Sequence, residues 1–370
     1  MNGLRRNGIQ RFAALMVVAR VVRTVAARVA LALAALASAI GGGTATAADT
    51  IPTLSYDSTP DLLTLPDDLY LGEVAGVATN SKGHLFVYTR TGSEFMTVGG
   101  ARNFVHGGSR LFEFDAHGKY LREIGAEIYG FLSAHAVRVD SHDNVWVVDE
   151  GSNMVIEFAP DGRELLTLGR KPEAVAVPAH PATKGPGLGI AGDTFDGPTD
   201  VGWDSHGNIF VADGTGNARI VKLDPHGAFI KAWGGRGSGA GQFNDIHTLA
   251  VDPEGNVYVG DRGNSRIQVF DNDGQFKTQI QGIGVPTAIC ITPGAHPTLY
   301  SSNSNSPVDM EHGEIYKLAL DGRILGKFGT AGKRLRQFGS VHEIDCREPD
   351  TLFVAELGNW RVQKLTLKGR

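Results

Sequence analysis

The chain has 370 residues, 49 of them glycine, and a formal net charge of −5. Residues 1–48 carry six arginines and no acid, so removing them leaves a net charge of −11. That acidity excludes a general nucleic-acid binder, which needs Lys and Arg to neutralise phosphates, and so many glycines suit a turn-dense all-β chain better than a helical one.

Residues 1–48 read as a secretory leader: a basic start, an apolar run at 29–40, and the small-residue site Ala45-Thr46-Ala47 before Ala48-Asp49. The apolar run is too short to span a bilayer. Starting at Met16 gives a leader of ordinary length, and Arg5-Arg6 is a weak twin-arginine signal. The expectation is a secreted or periplasmic protein with no membrane contact after cleavage. Residues 49–66 hold one expected strand, at 62–65.

From 67 to 370 a single unit recurs six times. Its clearest copy runs from 243 to 281, where short β-branched and aromatic stretches at period two are separated by Asp252-Pro253-Glu254-Gly255, Asp261-Arg262-Gly263-Asn264 and Asp271-Asn272-Asp273-Gly274. Second strands are expected at 84–88, 144–148, 208–212, 256–260, 298–302 and 351–355. Third strands follow at 110–114, 154–158, 219–223, 266–270, 314–318 and 360–365. Outer strands follow only five of them, at 120–124, 164–168, 229–233, 276–280 and 324–328. The strand at 62–65 is left to complete the last unit and close the ring, which removes unpaired sheet edges. Six four-stranded units predict an all-β, six-bladed β-propeller, expected as a monomer. Long connections at 91–108, 169–197, 234–245 and 329–340 all emerge on the face where inner strands begin, which marks the binding side. Cys290 and Cys346 fall in neighbouring inner strands and read as two buried thiols, a single bridge being the alternative.

Aligning the six inner strands on one register gives Ala75, His135, Thr199, His247, Thr287 and His342. Histidine thus alternates with small residues around the channel, and three of the chain's 12 histidines fall on ring-equivalent positions. Three imidazoles with an open fourth position make a catalytic-type zinc site. Water-bonded channel histidines are the plainer alternative.

The repeat resembles the NHL family in Asn208–Asp213 with Asn217-Ala218-Arg219-Ile220, and in Asn256–Asp261 with Asn264-Ser265-Arg266-Ile267. Several segments are also similar to peptidyl-α-hydroxyglycine α-amidating lyases, secreted propeller enzymes that finish peptide amidation. That resemblance implies zinc on His135, His247 and His342. It implies a structural calcium on the Val77 and Val137 carbonyls and the Glu343 carboxylate, where the family has Asp. It further implies catalytic arginines at Arg90 and Arg262, and a small-molecule or peptide carbinolamide as substrate. The family's catalytic tyrosine corresponds to Thr215, its active-site methionine to Ser340, and its cysteines to Gly216, Tyr258 and Val269. Threonine has neither the acidity nor the reach of tyrosine; Tyr129 and His106 are the substitutes considered for the missing group. A secreted propeller that binds a peptide, ligand or cell-wall partner without chemistry is the alternative. A calcium-dependent lactonase-type site ranks last, because only Asp200 and Glu343 supply axial carboxylates.

Overall fold

The computed structural model describes residues 51–91, 96–97, 103–104, 108–170, 195–304, 312–348 and 350–368. The expected leader and His106 lie outside them. Six four-stranded antiparallel sheets follow one another along the chain. Their inner strands are Glu73–Thr79, Ala134–Val139, Pro198–Trp203, Ile246–Val251, Pro286–Ile291 and Val341–Asp345. The expected propeller is what the chain forms.

In blades two, three and four the turn between inner and second strand is closed by its own aspartate, Asp140, Asp204 and Asp252. In blade four, Asp252 Oδ1 accepts the Glu254 and Asn256 N–H groups, and Gly255 supplies the left-handed φ of +84° that the turn requires. At the other end of the second strand an acid locks three of the blades. Asp213 holds Arg219 at 2.8 Å, Asp261 holds Arg266 at 2.7 Å, and Glu356 holds Arg361 at 2.7 Å. In blades three, four and six the spacing of acid and arginine in the repeat is therefore an ion pair on a buried carboxylate.

Apolar cores lie between adjacent blades. Ala136, Trp146, Val148 and Val155 of blade two pack with Val201, Ile209, Val211 and Val221 of blade three. Since every sheet buries both faces this way, no blade is stable alone, and closure of the ring matters. The closing strand is Tyr56–Thr59, paired antiparallel with Arg361–Leu367, and not the expected 62–65. Tyr56 decides the register: it is buried, packs 4.9 Å from the Phe328 ring and donates its hydroxyl to Arg336 O. Leu62, Leu63 and Leu65 lie half-buried against blade one instead, with Thr64 bridging to Lys119. Blades five and six are stapled by a Cys290–Cys346 disulfide across 56 residues, correcting the reading of two free thiols.

Candidate metal centre and channel mouth

In all six inner strands the pairing register slips at one place: between Val74 and Gly76, Ala134 and Ala136, Pro198 and Asp200, Ile246 and Thr248, Pro286 and Ile289, and Val341 and Glu343. The skipped residues include Ala75, His135, Thr199, His247, Thr287 and His342. A β-bulge leaves one residue out of the ladder and re-aims its side chain. Repeated six times, it turns this one register position toward the axis.

The three histidines meet there. Their ring centroids are 4.6 Å apart in every pair, and one ring nitrogen of each lies within 4.8 Å of the others. His247 Nδ1 sits 2.6 Å from Thr287 O and His342 Nδ1 sits 2.8 Å from Ala75 O. His135 faces the Thr199 backbone in the same sense, though its buried Nδ1 lacks a well-formed hydrogen bond. A carbonyl can only accept, so Nδ1 of His247 and His342 carries the proton and Nε2 is the free lone pair, the arrangement that orients imidazoles for a metal. All three imidazoles are held well below their ordinary pKa, first by burial and then by positive charge. Arg90 and Arg262 act on His135, the other two histidines and Arg262 on His247, and His135 and Arg90 on His342. Buried, neutral and mutually unpaired, they fit a metal that prefers nitrogen donors.

The arginines implied by resemblance, Arg90 and Arg262, lie at the mouth above this triangle. Arg90 donates from Nε to Ala134 O at 2.8 Å, one residue before His135, and Glu73 is 3.7 Å from its Nη1. Arg262 is held by Asp245 through Nε at 2.7 Å and Nη2 at 2.6 Å. Thr215 also lies at this face and donates to Glu150 Oε1 at 2.8 Å. Tyr129 is 60% exposed.

Val77, Val137 and Glu343 do converge on the axis, but not as a calcium site. The Val77 and Val137 N–H groups donate to Glu343 Oε2 at 2.9 and 3.1 Å. Arg138, which the sequence reading passed over, stands 3.1 Å from Glu343 Oε1 and grips both oxygens of Asp200 at 2.9 and 2.7 Å. The guanidinium already takes up the charge of these two carboxylates, and Val77 and Val137 face Glu343 with N–H donors, not with the carbonyl oxygens a dication needs. Burial pushes the Glu343 carboxyl well above its usual range, against the opposing pull of Arg138 and with Asp200 adding to the rise. Calcium therefore does not fit these residues.

The NHL repeat model matches residues 243–270. Human NHL repeat-containing protein 3 is 31% identical over 265 residues, covering 69% of this chain and 72% of that protein. Peptidyl-alpha-hydroxyglycine alpha-amidating lyase 1 of Drosophila melanogaster is 30% identical over 256 residues, covering 63% and 44%. The chain spans about a third of the length of the vertebrate amidating monooxygenases it also matches, 30% in the mouse protein. Virginiamycin B lyase from Staphylococcus aureus superposes with a TM-score of 0.53 over 85% of this chain and 100% of its own, at 13% identity, a likeness of fold alone. These likenesses place the chain in the NHL-repeat propeller family, as a homologue of the peptidyl-α-hydroxyglycine α-amidating lyases.

Proposed function

We propose that this chain is an exported, zinc-dependent lyase that breaks the C–N bond of a small or peptide carbinolamide, giving an amide and a glyoxylate-type product. The observation that carries the reading is the triangle of buried, neutral imidazoles presented by three alternate bulges. His135, His247 and His342 would hold the ion, and three nitrogen donors without a thiolate suit zinc with an open position. Bound there, zinc supplies Lewis acidity, lowering the pKa of a hydroxyl placed against it. Arg90 is anchored through Nε and approached at Nη1 by Glu73, which leaves Nη2 for a carboxylate, and Arg262 keeps Nη1. Two guanidinium groups at one mouth suit the carboxylate that a glyoxylate-forming substrate carries.

The leader pattern supports export, and so does the Cys290–Cys346 disulfide, since disulfides persist in oxidising compartments. A second reading, ligand binding without chemistry, is favoured by Thr215 standing where the lyases have their tyrosine. Turnover separates the two. Glyoxylate release from an α-hydroxyglycine peptide is expected from the metal-loaded protein and should vanish in His247→Ala. Wild-type protein that binds metal and peptide yet releases no glyoxylate would favour the binding reading.

A further inference from the structure

The lyase reading needs a group that accepts the substrate's hydroxyl proton, and we infer, resting on that reading, that Glu150 is that group. The argument begins with the ring. The second-strand residues opposite the residue just before the bulge are Thr89, Asp149, Asp213, Asp261, Asn303 and Glu356. The residues that follow them form a second ring at the mouth: Arg90, Glu150, Gly214, Arg262, Ser304 and Leu357. From Glu150 onward each is tied by its N–H to the segment entering the inner strand, at Ser133, Gly197, Asp245, Val285 and Ser340. Glu150 therefore occupies the same position in blade two that the two arginines occupy in blades one and four. Its N–H is bonded to Ser133 O at 3.0 Å. Ser133 precedes His135 by two residues, about 7 Å of strand, a gap that a glutamate side chain and a small substrate together span.

Of the six residues in that ring, Glu150 alone carries a carboxylate. The acids one residue earlier in the second strands are committed, and so is Asp245. Asp149 accepts three N–H groups and the Tyr88 hydroxyl. Asp213, Asp261 and Glu356 hold the blade arginines, and Asp245 holds Arg262. Among the described residues, the Glu150 carboxylate makes one hydrogen bond, from Thr215 Oγ1 at 2.8 Å, and it is partly exposed. That bond fixes one oxygen and leaves the other for substrate. Thr215 is thus the positioning residue, and the proton acceptor is on the neighbouring blade.

In the step, the hydroxyl O–H bond breaks with its proton passing to Glu150. The oxygen's electron pair forms the carbonyl as the C–N bond breaks toward nitrogen. Protonated Glu150 then returns the proton to the departing amide nitrogen, so no proton is gained or lost overall.

Glu150→Gln keeps the Thr215 hydrogen bond but removes basicity. With the zinc-loaded protein and an α-hydroxyglycine peptide, kcat should fall by about 10²- to 10⁴-fold, and the acidic limb of the wild-type pH profile should disappear. Metal content, melting temperature and affinity for an unreactive 2-hydroxy acid should stay within about three-fold or unchanged. Glu150→Asp should recover part of kcat. Turnover that survives in Glu150→Gln with the same acidic limb overturns the assignment of Glu150 alone. Loss of metal or of 2-hydroxy acid binding in that variant makes Glu150 structural and also overturns it. A wild-type protein that binds metal but turns nothing over removes the lyase reading and this inference together.

Discussion

His342 Nδ1 lies 2.8 Å from the carbonyl oxygen of Ala75, across the seam where the last blade meets the first. His247 bonds Thr287 O in the next blade at 2.6 Å, and His135 faces Thr199 of the blade after its own. Blades two, four and six supply the imidazoles; blades three, five and one supply the backbone that aims them. A site of three side chains is thus held by six blades, and it is only as well formed as the ring is closed.

One consequence is a pH dependence of the metal-free protein. The imidazoles are held well below their ordinary pKa, chiefly by burial, whereas in the unfolded chain they titrate near about 6.5. Below that pH the unfolded chain binds more protons than the folded one, so stability falls as pH drops through about 6.5 toward the lowered folded values. Melts of chelated protein should show a midpoint falling between about pH 7.5 and 5.5. The fall should shrink when all three histidines are glutamine; an equal fall in both proteins contradicts the assignment.

The axis below the triangle carries its own cation. Arg138→Met should cost about 3–5 kcal/mol, because Asp200 and Glu343 then share a buried site without a counter-charge. Calcium in excess, or its removal by a selective chelator, should leave the wild-type melting temperature unchanged, since a ligand bound only by the native state would shift it. A calcium-dependent melting temperature would show that the dication displaces the guanidinium.

Arg90 and Arg262 should act on substrate charge. Replacing Arg90 by Ala removes a charge-assisted grip worth about 1.5–3 kcal/mol, so kcat/KM for a carboxylate-bearing carbinolamide should fall by about 10- to 100-fold. The same change should matter far less for a substrate whose carboxylate is capped as an amide. Equal losses on both substrates would mean that Arg90 serves the fold through Ala134 and nothing more.

The disulfide should stabilise without touching the chemistry. Cys290 and Cys346 staple blades five and six, and a loop of this length is worth about 2–4 kcal/mol. Urea unfolding of the Cys290→Ser, Cys346→Ser double variant should show that loss, with metal content retained. Loss of metal in the double variant would tie the staple to the site.

How much of this was legible in the sequence depends on the scale of the signal. The blades were readable because period-two strands and Asp/Gly turns repeat, and the histidine triangle was readable because a register shared by six strands puts alternate positions on one ring. The bulge that turns those histidines inward leaves no composition mark, since Ala, Thr and His all occupy it. The closing strand was misplaced because Leu62, Leu63 and Leu65 look more strand-like than Tyr56–Thr59, whose pairing rests on one tyrosine fitting between Phe328 and Phe338. Arg138 was invisible for a different reason. An arginine in an inner strand reads as a solvated charge until Asp200 and Glu343, 62 and 205 residues away, are seen beside it. Glu150 escaped notice likewise, as its significance lies in a ring position and not in a local motif.

Metal content tests the central claim most directly. Mass spectrometric metal analysis of the purified mature protein should give one zinc per chain in the wild type and none in His135→Ala, His247→Ala or His342→Ala, each still folded by circular dichroism. A folded wild-type protein that takes up no transition metal when zinc is supplied, or a histidine variant that keeps its zinc at full occupancy, would contradict it.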